Sequence, residues 1–103
     1  MLKTKLVAIG TAGLLAGVSN VFADGEALYT AKLCMTCHGA EGKAPIMPIY
    51  PKLAGQNGTY CENQVKDIRD GKRTNGMTMA MKPMVAALTD TEVTEICTYL
   101  ASE

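Results

Sequence analysis

A shortage of large apolar side chains limits what this chain can fold into. Its 103 residues include no Trp, one Phe and four Tyr. The single Phe22 falls in an N-terminal stretch laid out like a secretory leader. Lys3 and Lys5 give a positive start, Leu6–Val18 is an uncharged apolar run, and Val21-Phe22-Ala23 is a small-x-small exit. Cleavage after Ala23 is expected, so residues 1–23 are read as a signal peptide and 24–103 as the working domain. The apolar run is shorter than the ~20 residues a spanning helix needs, which argues against stable membrane insertion. No cysteine at the exit suggests a lipid anchor. What remains is one domain of about 80 residues, a size at which the core is marginal even when rich in aromatics. Such a chain needs a staple: disulfides, a metal or a buried cofactor.

Charge excludes one class of partner. Ten basic residues balance ten acidic ones, and loss of Lys3 and Lys5 tips the domain to a net −2. No basic excess is left to neutralise phosphates, so non-specific nucleic-acid binding is ruled out.

Along the chain the patterns are helical. Asp24 can cap a first helix running to about Met35. A Gly- and Pro-rich loop follows from Gly39 to Gly58, with Pro45, Pro48 and Pro51 opposing regular helix. Thr59-x-x-Glu62 reads as a capping box for a second helix, with Cys61, Val65 and Ile68 on one face and Gly71 as its stop. Thr74–Leu88 reads as a loop carrying Met77, Met79, Met81 and Met84. Thr89-x-x-Glu92 is a further capping box, and Val93, Ile96, Cys97 and Leu100 form a stripe to the end. No strand pattern is present. The domain is expected to be all-α, three to five helices with long loops wrapped around something.

Cys34-Met35-Thr36-Cys37-His38 says what that something is. C-x-x-C-H is the attachment sequence of haem c. Residues three apart on a helical turn face the same way, so both sulfurs reach one edge of a porphyrin. The adjacent imidazole then comes under the ring centre, where a neutral ring can bind iron. A thioredoxin-like dithiol would need a βαβ context, which is missing. A structural zinc site would need Cys61 and Cys97, whose separation fails the paired spacing of zinc ribbons. His38 is the only histidine, and its second ring nitrogen is expected to donate to a carbonyl. The sixth iron ligand must then be another residue type, and methionine is the electron-transfer choice. The 77–84 segment is well separated from His38; Met35 should point away, and Met47 is read as packing in the haem pocket.

The chain resembles the small bacterial class I cytochromes c, in particular one half of the periplasmic dihaem cytochromes. The resemblance rests on Gly25-Glu26-Ala27-Leu28-Tyr29, Cys37-His38-Gly39-Ala40-Glu41-Gly42 and Tyr50-Pro51-Lys52-Leu53-Ala54-Gly55-Gln56. It continues in Gln64, Asp67-Ile68-Arg69-Asp70-Gly71-Lys72-Arg73-Thr74-Asn75, Leu88-Thr89-Asp90 and Ile96-Cys97-Thr98-Tyr99-Leu100. It implies the class I cytochrome c fold around one covalent haem. Gly25 and Tyr29 would pack against Ile96, Tyr99 and Leu100, and Pro45 would offer the carbonyl that accepts from His38. In related sequences the axial methionine lies eight residues before the Ser/Thr opening the last helix, which points to Met81, with Met79 and Met84 as alternatives.

Cys61 and Cys97 depart from the family pattern. Both sit on inward-facing stripes, so they are either two buried thiols or, in an oxidising compartment, a disulfide. The function implied is a periplasmic electron carrier, not an enzyme, exchanging electrons with redox protein donors and acceptors. Lys43, Lys52 and Lys82 would flank the docking edge. The alternatives are a five-coordinate haem enzyme or sensor, and the haem subunit of a periplasmic dehydrogenase with a flavoprotein partner, such as a flavocytochrome c sulfide dehydrogenase.

Overall fold

A computed structural model describes residues 23–103. The expected signal peptide lies, but for Ala23, outside the described residues. These residues form five α-helices: α1 at 23–31, α2 Met35–His38, α3 Gly58–Arg69, α4 Thr78–Val85 and α5 Asp90–Ala101, with a 3-10 turn at Ala40–Gly42. Among them there is no strand, and no helix is long and apolar enough to cross a membrane.

The last helix organises the rest. Its capping box is formed in full: Thr89 Oγ1 accepts from Glu92 N–H at 3.2 Å, and Glu92 Oε1 accepts from Thr89 N–H at 3.0 Å. Val93, Ile96, Cys97, Tyr99 and Leu100 are buried along one face. α1 crosses this helix at Gly25. A Cβ there would collide with the Glu95 carbonyl oxygen and lie 2.6 Å from Tyr99 Cβ, so only glycine permits the approach. One turn on, the Tyr29 ring meets that of Tyr99 with centroids 6.0 Å apart. The crossing implied by the family resemblance is present.

Three boundaries differ from expectation. The first helix stops at 31 rather than about 35. Cys34 N–H bonds to Tyr29 O and Leu33 N–H to Thr30 O, with Leu33 at φ 62°. This is a Schellman ending with leucine in the left-handed position usually given to glycine, a substitution costing about 1–2 kcal/mol. The break lets the attachment motif start a new turn in a new direction. Second, α3 is capped by Asn57, whose Oδ1 accepts from Tyr60 N–H at 3.0 Å, and not by a Thr59 capping box. Third, the methionine segment is not all loop: Thr78–Val85 is helix, with Pro83 inside it. Met, Ala and Lys favour helix strongly enough to hold a short one despite the proline.

α3 packs against α5 on one side and α4 on the other. Cys61 of α3 and Cys97 of α5 form a disulfide, with Cα atoms 5.7 Å apart. The reading of two separate buried thiols is therefore set aside. Arg69 ties the far end of α3 to the start of α5, donating to Leu88 O at 3.1 Å and to Asp90 Oδ1 at 2.8 Å.

Candidate functional site

Where an ordinary domain would have its centre, this one has a cavity of about 420 Å³. Its wall draws on α2, the loop after it, α3, α4 and α5. Core residues Ile68, Val85, Leu88, Val93, Ile96 and Leu100 form its floor. The missing apolar bulk of the sequence is this space.

The attachment motif stands on the wall. Cys34 and Cys37 are both free thiols, partly buried, and both line the cavity. Burial pushes the Cys34 thiol up to about 11, so it stays protonated in apolar surroundings. A thioether carries no such charge and suits the same place. Tyr29 is likewise pushed up to about 12, by burial and then by Cys34, and its hydroxyl donates to Gly39 O at 2.7 Å. That bond fixes the turn leaving the motif.

His38 is buried and also lines the cavity. Its Nδ1 lies 2.8 Å from Pro51 O. A carbonyl only accepts, so Nδ1 carries the proton and Nε2 keeps the lone pair, the tautomer an iron ligand needs. The partner expected here was Pro45, and this is corrected: the carbonyl belongs to Pro51. Gly42 O accepts from Leu53 N–H at 2.9 Å and Ala54 N–H at 3.0 Å, which draws 51–54 alongside the histidine. Pro45 instead precedes Ile46, whose N–H bonds to Cys37 O at 3.1 Å on the outer path of the loop. Met47 follows that path, is exposed and does not line the cavity, so it is not pocket packing.

Of the four methionines in the 77–84 segment, Met77, Met81 and Met84 reach the wall and Met79 does not. Met81 alone among them is partly buried and packs on the core; Met77 and Met84 are about half exposed. Lys43 is engaged with Glu41 at 3.6 Å and Glu103 at 3.7 Å, and no lysine lines the cavity. Sequence reasoning gave no role to several polar residues that do, among them Gln64, Arg73 and Asn75. Their signal was available in the Gln64–Asn75 run but not separable from ordinary surface polarity.

The donor set fits a haem and little else. Two free thiols and a correctly protonated imidazole edge an apolar space, and among the described residues no three His, Cys, Asp or Glu side chains converge on a metal. This is the constellation of a covalent haem protein of the all-α kind.

Comparison with known proteins agrees. The family model for cytochrome c matches residues 22–103. The chain is 41% identical over 70 residues to cytochrome c-554(548) of Halomonas halodenitrificans, covering 68% of this chain and 83% of that one. It is 38% identical over its whole length to 48% of cytochrome c4 of Pseudomonas aeruginosa. It is 36% identical over 98 residues to 44% of a thiosulfate dehydrogenase electron acceptor of Stutzerimonas stutzeri. It thus spans most of the first relative and just under half of the other two. The chain belongs to the cytochrome c family. Its cofactor is covalent haem c, its fold that of a class I cytochrome c, and its role electron transfer.

Proposed function

We propose that this chain is a periplasmic electron carrier with one haem bonded to Cys34 and Cys37 and held between His38 and Met81. When bound, haem supplies a one-electron Fe(II)/Fe(III) couple. The residues around it do the rest. His38 offers Nε2 because Pro51 holds the proton on Nδ1. Met81 offers a thioether sulfur, a soft donor that favours Fe(II) and raises the potential. With His38 and Met81 both holding the group, no position would be left open for a substrate, so the protein would pass one electron in and one out and would make or break no substrate bond. The apolar wall keeps water from the redox centre.

The observation that carries this reading is the His38–Pro51 contact beside two free thiols. Export rests on the leader pattern of residues 1–23, with the domain at 24–103, and fits a disulfide between Cys61 and Cys97. The name of the Stutzerimonas relative favours a dehydrogenase as electron donor, with this chain a separate acceptor.

Replacing Met81 with Ala tests the ligation. The weak near-infrared sulfur–iron band of the oxidised protein should disappear, and carbon monoxide should then bind the ferrous form readily. A surviving band would assign the ligand to Met77 or Met84.

A further inference from the structure

Lys82 follows Met81 on α4, is half-buried, and among the described residues has no ion pair. A lysine partly withdrawn from water needs a place for its charge. That place is the turn after α3: a Cβ built on Gly71 would lie 3.3 Å from Lys82 Nζ. Gly71 has the left-handed backbone that closes α3, at φ 80°, and its N–H returns to Ile68 O at 3.3 Å. An ammonium seated there meets the negative end of the helix macrodipole.

α4 has little else to fix its rotation. Its eight residues are fewer than a helix needs to hold by itself, and Pro83 removes one of its backbone donors. Among the other helices it rests mainly on α3. Thr78, Met81 and Val85 recur at helical spacing and line the cavity, whereas Lys82 does not. Neighbouring residues on a helix point about 100° apart, so seating Lys82 on the end of α3 turns Met81 toward the cavity. Rotation by one position would swing the ammonium against the apolar wall, which is costly for a charge.

We propose that Lys82 is a positioning residue for the sixth ligand: its ammonium, seated at Gly71 on the carbonyl end of α3, sets the rotation of α4 that presents Met81 to the cavity. This rests on the haem reading above, with Met81 as the ligand. The competing reading is the one the sequence suggests, a solvated charge flanking the docking edge. The two differ in how firmly Met81 is held. Carbon monoxide binds the ferrous carrier only when Met81 lets go, so its rate of binding reads that hold. No protein partner takes part, and a docking charge would leave the rate unmoved.

The experiment compares haem-loaded wild type with Lys82→Gln and Lys82→Arg, neither of which adds a thioether beside Met81. Two readouts are taken: the rate of carbon monoxide binding to the ferrous form, and the temperature at which the oxidised form loses its sulfur–iron band. Lys82→Gln should bind carbon monoxide about 2- to 10-fold faster than wild type, the range a charge at a helix end supplies. Its band should also vanish at a lower temperature, with a smaller change in the far-ultraviolet unfolding transition. Lys82→Arg keeps a cation of similar reach and should stay close to wild type. A Lys82→Gln rate no faster than wild type overturns the proposal, and so does a Lys82→Arg rate as fast as that of Lys82→Gln. If Lys82→Gln does not accumulate, Lys82→Leu is read in the same way. Colourless wild type, or a sulfur–iron band that survives Met81→Ala, would defeat the haem reading itself. A band lost in Met81→Ala with an unmoved rate in Lys82→Gln defeats only the role of Lys82.

Discussion

Replacing both Cys61 and Cys97 with Ala should cost this domain a large share of its stability. The bridge closes a loop with a sequence separation of 36. In the chain-entropy treatment, freeing such a loop in the unfolded chain is worth about 4 kcal/mol. Total stabilities of small domains run at about 5–15 kcal/mol, so the bridge supplies a quarter or more of what holds the fold. Both sulfurs are also buried, Cys97 completely and Cys61 to 8% exposure, so lost packing adds in the same direction. The double variant is the right comparison, because a single replacement leaves a thiol free to pair elsewhere. At about 4–8 °C per kcal/mol for a domain of this size, the melting temperature should drop by about 15–30 °C. The assay is thermal unfolding of haem-loaded wild type and variant by far-ultraviolet circular dichroism. Intact mass after alkylation without reductant confirms the bridge in the wild type. A fall below about 5 °C with the bridge present in wild type would falsify the entropic account, leaving the disulfide an ornament on a core already held by haem.

Two further outcomes are expected. Gly25→Ala gains about 1 kcal/mol in helix propensity, but its methyl meets the Glu95 carbonyl and Tyr99 Cβ, and overpacking of this kind costs about 1–3 kcal/mol. The variant should therefore unfold at lower denaturant with an unchanged haem spectrum, and equal or greater stability would refute the close crossing. The Arg69 guanidinium, bonded to its carboxylate, holds Asp70 below the usual carboxylate value. That contribution is full above the unfolded value of about 4 and is lost as pH falls through the depressed folded one. Urea titrations from about pH 2 to 6 should show a small gap between wild type and Asp70→Asn that closes at the acid end. A gap that persists or widens there would have the wrong sign.

The chemistry of the site was more legible than its walls. Cys34, Cys37 and His38 follow from local spacing, because all three act within one turn. Thr89 and Glu92 were legible for the same reason, a cap being a short-range device. Pro51 was not, since three prolines share one loop and only the bonds from Gly42 to Leu53 and Ala54 decide which carbonyl returns to the histidine. The helix at Thr78–Val85 was hidden by Pro83, normally a reason to deny helix. The early stop of α1 was hidden because its left-handed residue is Leu33, where glycine is the usual sign. Asn57 was passed over as a cap because Thr59, two residues on, and Glu62 match the capping-box pattern by chance. Only the Pro51 miss turns on contacts distant in sequence; the others are local devices carried by residues that do not usually signal them.

The same contrast explains why a domain so poor in aromatics folds at all. The buried side of α5 supplies Val93, Ile96, Cys97, Tyr99 and Leu100, half of the buried hydrophobic side chains among the described residues. The first helix reaches it through a glycine crossing, and α3 is joined to it by a covalent bond. The short helix carrying Met81 packs on α3, one step removed from that centre. A ligand bond from Met81 to the cofactor would give α4 its second anchor. On the proposed ligation the division of labour would follow: the disulfide fixes α3 to α5, and the cofactor would fix the segment that carries Met81. A bridge between α3 and α4 would have restrained the ligand itself. One between α3 and α5 stabilises the domain and would leave the segment carrying Met81 to be set by the cofactor.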